Sequence, residues 1–183
     1  MSEKVAILLS GHTRSIKYTI NNILKLKNCL NSDIFIHTWS EVNQKGKHIW
    51  KKENETYDIS VEDNISLIKK KLEPKLFKIE KNSVDINDLK CDRKVYSNTL
   101  SMVIGIYKAF NLLKSFENKN SFKYTHIIRY RFDLEIESVN RIKDSILNLN
   151  SNCVLLVKHN WASCLGVYSD IFIALTRKNF ENS

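Results

Sequence analysis

Apolar residues recur along this chain in two rhythms, and the switches between them mark its elements. KVAILL at 4–9 is a short unbroken apolar run, the pattern of a strand buried on both faces. The polar turn Ser10-Gly11-His12-Thr13-Arg14 follows it, and from Ile16 the positions Ile16, Ile20, Ile23, Leu24 and Leu30 fall at helical spacing. Ser15 or Thr13 is placed to cap that helix. DIFIHTW at 33–39 predicts a second strand, and strand, helix, strand in this order implies a parallel pair with a right-handed crossover. Residues 41–58 are polar. A helix over Ser60–Leu72 follows from Val61, Ile65, Ile68 and Leu72, and Pro74 stops it. Leu76–Ile79 predicts a third strand, and 80–95 a polar connection. The longest predicted helix spans Ser97–Phe116, with Leu100, Val103, Ile104, Tyr107, Phe110, Leu112 and Leu113 forming a broad apolar face and Met102 counted with the core. A strand within 124–136, a short helix near 141–147 and a strand at 153–157 come next. The tail with Trp161, Gly166, Tyr168 and Asp170 offers no evident terminal element, the expectation for a truncated chain. The alternation predicts one α/β domain over 1–183, with a mostly parallel sheet flanked by helices.

One stretch departs from a plain core pattern. YTHIIRYRFDLEI, at 124–136, begins as a β-branched run and then places Arg129, Arg131, Asp133 and Glu135 at every second position. In a strand these share one face, while Tyr130, Phe132 and Leu134 take the other. Charges at that density need partners. They either pair with one another on a half-exposed strand, or end the strand at a site for a polyanion or a metal, with Arg131 and Asp133 at its mouth. The first loop raises a related question. A strand, a glycine-containing turn and a helix N-terminus together present backbone N–H groups to an anion, and His12 and Arg14 add donors. The same residues also suit an ordinary turn. His37 and Trp39 fall at the carboxyl end of the second strand, where open α/β sheets bind ligands, although a lone histidine there is more often structural.

Composition narrows the classes. The net charge of +9 invites a nucleic-acid or membrane partner, but the lysines are scattered, with KKK at 69–71 and KK at 51–52 as the runs. Nucleic-acid binding is not expected, because aromatics are not interleaved with a basic element; weak attraction to anionic lipid headgroups fits the charge. No apolar run reaches the roughly 20 residues that span a bilayer, and the opening MSEKVAILLS reads as a strand rather than a signal sequence. A cytoplasmic protein is therefore expected. Cys29, Cys91, Cys153 and Cys164 form no CxxC pair, so neither a zinc site nor a disulfide framework is implied. GxSxG, HExxH and P-loop signatures are absent, which disfavours the corresponding hydrolases and NTPases.

Four pieces in order, SGHTRS at 10–15, DIFIHTW at 33–39, SNTLSMVIGIYKAF at 97–110 and IIRYRFDLEI at 127–136, give the chain its likeness. It resembles a family of bacterial glycosyltransferase-like proteins from surface-polysaccharide gene clusters. The resemblance implies a GT-A-like, Rossmann-like fold that takes a nucleotide-sugar donor. In that fold an Asp-x-Asp motif ends a strand and holds a divalent cation against the donor diphosphate. Asp133 matches the metal-binding carboxylate, and Arg131 stands where the first carboxylate would be. Mn²⁺ or Mg²⁺ is the implied cation, taking oxygen ligands; a guanidinium can do part of the same work on a diphosphate without it. By the same resemblance Gly11, His12, Thr13 and Arg14 would hold the nucleotide with Arg129 and Arg131, and Asn98, Ser101 and Met102 would lie near it or support the Arg-x-Asp strand. Asp170, in YSDIF, would be the catalytic base that deprotonates an acceptor hydroxyl, or a support for the site. The implied reaction moves a sugar to a glycan or lipid-linked acceptor, with peripheral contact at the inner face of the cytoplasmic membrane. A binding module of the same fold without transfer activity is the alternative, favoured by the single carboxylate at the motif and the early chain end.

Overall fold

The computed structural model describes residues 3–41, 60–82, 93–134, 136, 138–150, 153–156 and 172–181. Its elements are β1 (Val5–Gly11), α1 (Ile16–Leu30), β2 (Asp33–Trp39), α2 (Val61–Leu72), β3 (Leu76–Glu80), α3 (Arg93–Asn120), β4 (His126–Arg131), α4 (Val139–Leu147), β5 (Val154–Leu156), β6 (Phe172–Thr176) and α5 (Arg177–Glu181). The six strands form one sheet in the order β3-β2-β1-β4-β6-β5. The first four strands are mutually parallel, β6 runs antiparallel to β4, and β5 runs antiparallel to β6. The chain is thus an α/β protein with a mixed, mostly parallel sheet flanked by helices.

Strand alternation sorts the sheet's side chains into two cores. Val5, Ile7 and Leu9 of β1, Ile34 and Ile36 of β2, and Ile128 and Tyr130 of β4 pack with Ile16, Ile20, Ile23 and Leu26 of α1 and Ile68 of α2. The opposite face gives Ala6, Leu8, Phe35 and Ile127 to Ala109 and Leu113 of α3. The chain steps outward from β1 to β2 to β3 with α1 and α2 on one face. It then returns to β4, on the other side of β1, through α3 on the opposite face, as right-handed crossovers require when the direction of travel reverses.

Local chemistry sets the helix ends. Ser60 Oγ accepts from the Asp63 backbone N–H at 3.1 Å, acidic Glu62 and Asp63 stand in the first turn of α2, and Lys69, Lys70 and Lys71 in its last, matching the helix dipole at both ends. Asn31 and Glu73 close α1 and α2 in the left-handed region, at φ of 47° and 46°, the second directly before Pro74. Ser15 is the N-cap residue of α1, but its side chain makes no capping hydrogen bond.

Four expectations are corrected. The charged strand ends at Arg131, so Asp133 is not on it and the four charges do not line one strand face. Helix α3 runs from Arg93 to Asn120, beyond the predicted 97–116. Its buried side is a narrow row at four-residue spacing, Ser101, Gly105, Ala109, Leu113 and Glu117, while Val103 and Tyr107, expected in the core, are 52% and 63% exposed. A helix lying on one sheet buries one stripe, and residues half a turn away stay wet. Finally, β6 and α5 occupy the end of the chain, where no terminal element was expected. An apolar run as short as Phe172–Leu175 cannot be told from a buried helical segment by periodicity. Here it becomes a strand because it fills the open edge of β4. Trp161, Gly166, Tyr168 and Asp170 lie outside the described residues.

Replacing Ile7, fully buried on the middle strand, by alanine is expected to cost roughly 2–5 kcal/mol in denaturant unfolding. Val103→Thr is expected to stay within about 0.5 kcal/mol in the same assay, because its side chain faces solvent.

Candidate functional site

Strand order reverses at β1, whose neighbours are β2 on one side and β4 on the other. In open α/β sheets the helices leave such a switch point in opposite directions, and a crevice opens beyond the carboxyl ends of the two strands. By that rule the strand order assigns the ligand crevice of this sheet to the carboxyl ends of β1 and β4. The register puts Ser10 level with His37 of β2 and Arg131 of β4, so one row across the sheet runs His37, Ser10, Arg131.

On the β1 side, Gly11 has φ of +115°, a conformation that disfavours any side chain although an added Cβ would meet nothing within 4 Å. Backbone geometry, not space, requires this glycine. The loop it opens is held by its neighbours. The Thr38 hydroxyl donates to the Gly11 carbonyl at 2.8 Å, and the Thr13 carbonyl accepts from the Ile16 N–H at 3.0 Å and from the Asn64 side-chain amide at 3.2 Å. Thr13 is buried. His12 has its pKa lowered by burial first and by the Arg14 charge second, against a bond with the Glu41 backbone, so the ring is neutral beside a cation. The loop leads into the N-terminus of α1, whose dipole favours anions.

On the β4 side, the chain turns after Arg131, with the Leu134 N–H donating to the Arg131 carbonyl at 3.3 Å. Asp133 folds back onto Arg131: Nε donates to Oδ1 at 2.9 Å and Nη2 to Oδ2 at 2.6 Å, a bidentate pair in which both side chains are about one-third exposed, at 31% and 28%. Arg129, opposite the α3-facing Leu8, is 6% exposed and lies one strand repeat below Arg131 on the same face. The first loop and the Arg131–Asp133 turn thus leave the sheet from neighbouring strands at the same end, where Ser10 is level with Arg131. Asn98 lies in α3, its side chain outside the described ones; Ser101 is buried and exchanges hydrogen bonds with the Asn82 side chain at 3.1 and 3.2 Å, and Met102 is half-buried.

Among the described residues, the donors at this turn do not suit a divalent cation. A hard cation needs carboxylate oxygens open to it. Both oxygens of Asp133 are spanned by a guanidinium, and among the described residues no three His, Cys, Asp or Glu side chains are grouped to hold a metal.

Sequence reasoning placed His37 and Trp39 at this end of the sheet but missed Glu80, the partner of His37, and Lys108, which pairs with Glu80. His37 is fully buried beneath α3, stacked edge-on against Trp39 at 4.7 Å, with Nε2 2.9 Å from Glu80 Oε2. Lys108 and Lys78 both pair with Glu80, the latter at 2.7 Å, and together they hold its carboxyl down to about 2, with the Lys108 bond the largest cause. Burial lowers the pKa of His37 more than Glu80 raises it. Helix α3 packs closely here at Gly105, where an added Cβ would make ordinary contacts, 3.7 Å from Ser10 Cβ and 3.8 Å from His37 Nδ1. The signal available in the sequence was the four-residue spacing of small residues, Ser101, Gly105 and Ala109. Thr19 and Asn22 of α1 were missed as well, since no motif marks them, yet both bond the chain just after β4.

No protein-family model matches this chain, and neither a curated protein nor a solved structure matches it.

The titrating groups fix a pH dependence. Burial lowers the pKa of His12, His37 and His126 below the ordinary 6.5. As pH falls through 6.5 the unfolded chain therefore takes up protons before the folded one, and stability drops. Glu80, held at about 2 against an ordinary 4.5, adds a loss that begins near 4.5 and is complete near 2. Thermal unfolding between pH 7.5 and 3 is expected to show both declines, and His37→Gln to shrink the first.

Proposed function

We propose that this chain is the nucleotide-sugar-binding domain of a GT-A-like glycosyltransferase, moving a sugar to a surface-polysaccharide or lipid-linked acceptor. One observation carries the reading: the switch-point crevice is flanked by a glycine loop with a helix N-terminus on one side and by Arg131 on the other. Each is suited to a phosphate. The likeness of SGHTRS, DIFIHTW, SNTLSMVIGIYKAF and IIRYRFDLEI to the glycosyltransferase-like family supports the same assignment.

In the reaction an acceptor oxygen forms a bond to the anomeric carbon while the bond from that carbon to the diphosphate oxygen breaks. Negative charge gathers on the departing nucleoside diphosphate. Arg131 meets that charge with a planar, forked donor, and the backbone N–H groups and Arg14 of the first loop add to it. Asp133 keeps the guanidinium fork in place until phosphate oxygens compete for it. Because the Arg131 guanidinium supplies the positive charge itself, phosphate binding here needs no cation. Asp170 is assigned as the base that takes the acceptor proton. It lies two residues before Phe172, which pairs with Tyr130 next to Arg131 and so enters β6 at the crevice end of the sheet. Asn98 and Arg129 are assigned to nucleotide support. The excess of lysine suits an acceptor held at a membrane surface; among the described residues no helix is long and apolar enough to cross one.

Calorimetric titration with UDP, GDP, CDP and CMP, with and without Mn²⁺, tests this. One nucleotide is expected to bind equally well in both conditions. Arg131→Ala is expected to weaken it about 10- to 100-fold, the loss of charge-assisted hydrogen bonds worth about 1.5–3 kcal/mol. Asp133→Ala is expected to leave binding intact. Affinity that depends on Mn²⁺ and on Asp133 would reverse the metal-free assignment, and no binding of any nucleotide would sink the donor site. Release of free sugar or its transfer from the matching donor separates an enzyme from a binding module.

A further inference from the structure

The Arg131–Asp133 turn is tied to α1 by side chains that the reaction itself does not use. Asn22, two turns into α1, donates from Nδ2 to the Ile136 carbonyl at 2.7 Å and accepts the Ile136 N–H on Oδ1 at 3.0 Å. Its amide thus completes the backbone of Ile136 on both sides, as a neighbouring strand would. The same Oδ1 accepts the Tyr130 hydroxyl at 3.0 Å, and that hydroxyl also contacts the Leu134 carbonyl at 2.9 Å. One turn earlier, Thr19 donates to the Phe132 carbonyl at 2.5 Å. Thr19 and Asn22 are three residues apart and so share a helix face. Between them they fasten 132 and 136, and the Tyr130 hydroxyl contacts 134, so the backbone is held on both sides of Asp133.

Helix α1 is also the continuation of the first loop: Gly11 to Arg14 lead straight into Ile16. The Gly11–Arg14 loop and the Arg131–Asp133 turn are therefore both attached to α1, the first through the chain and the second through these side chains. We infer that Asn22, acting with Tyr130, is a positioning residue that holds the Arg131–Asp133 turn at a fixed distance from the Gly11–Arg14 loop. The distance between two phosphate-binding walls decides whether one diphosphate can reach both, and small misplacements at such sites are costly. This rests on the donor-site reading above.

The test uses the full chain as Asn22→Ala, Tyr130→Phe and the double variant. Tyr130→Phe removes a hydroxyl and leaves the ring, which packs edge-on against Phe172 at 5.9 Å. Three quantities are read well below the unfolding temperature: amide exchange of Leu134 and Ile136, affinity for the nucleoside diphosphate that wild type binds, and melting temperature. The expected result is at least 10-fold faster exchange of Ile136 and about 10-fold weaker nucleotide binding in Asn22→Ala, a smaller effect in Tyr130→Phe, and a double variant less damaged than the product of the two, since both act through one oxygen. A lower melting temperature with unchanged nucleotide affinity would overturn the inference, leaving Asn22 a purely structural residue. Failure of wild type to bind any nucleotide would overturn the donor reading and with it the positioning role. The exchange data then still separate the two failures: unchanged protection of Ile136 in Asn22→Ala would show that the clamp itself does not hold the turn.

Discussion

Everything in this fold depends on β1 being satisfied on all sides. Its backbone is paired to β2 along one edge and β4 along the other, and its side chains are buried above and below the sheet. A strand so placed must be apolar throughout, and Val5 to Leu9 is. Because both edges are taken, the chain can leave only from its end. The departure at Gly11 is therefore sharp, and the following helix starts where β1 stops. The same double pairing makes β1 the point where strand order reverses. The crevice is a by-product of a saturated central strand.

Two kinds of polar arrangement meet at that end of the sheet, and they differ in stakes. Arg131 and Asp133 pair near solvent, where a bidentate ion pair contributes little to stability and the partners remain open to exchange with an anion. His37 is fully buried beneath α3 and depends on Glu80 at its edge, which Lys108 of α3 and Lys78 of β3 also pair with at a partly exposed position. The first arrangement suits a surface that must rearrange when a ligand arrives. The second fixes how closely α3 approaches β2 and β3, and so fixes the wall from which the crevice is measured.

The fold was largely legible because its elements announce themselves by period. DIFIHTW was read at its full length as β2, and α2 was placed from four apolar positions and a proline. What sequence could not supply was pairing. Phe172–Thr176 is strand-like only because β4 has an edge to fill, and Asp133 departs from its alternation only because the chain is drawn back toward α1 by bonds to Thr19 and Asn22, more than a hundred residues earlier. Arg131 and Gly11 were identifiable as phosphate-type residues from their own chemistry. That they stand across one crevice required the register of β1 with β4. Glu80 and Lys108 were not identifiable at all, since a carboxylate at a strand end and a lysine on a helix are ordinary until two strands and a helix converge on them.

The two borders of the sheet have a consequence of their own. On one side lies β5, three residues long; on the other lies β3, which follows Pro74 and carries Lys78 and Glu80. A short strand and a charged one are poor templates for recruiting a further strand. The long, regular, apolar strands that could template β-aggregation are kept to the middle of the sheet, so self-association by sheet extension is disfavoured. Assembly with another copy or another protein, where it occurs, is left to helices and loops.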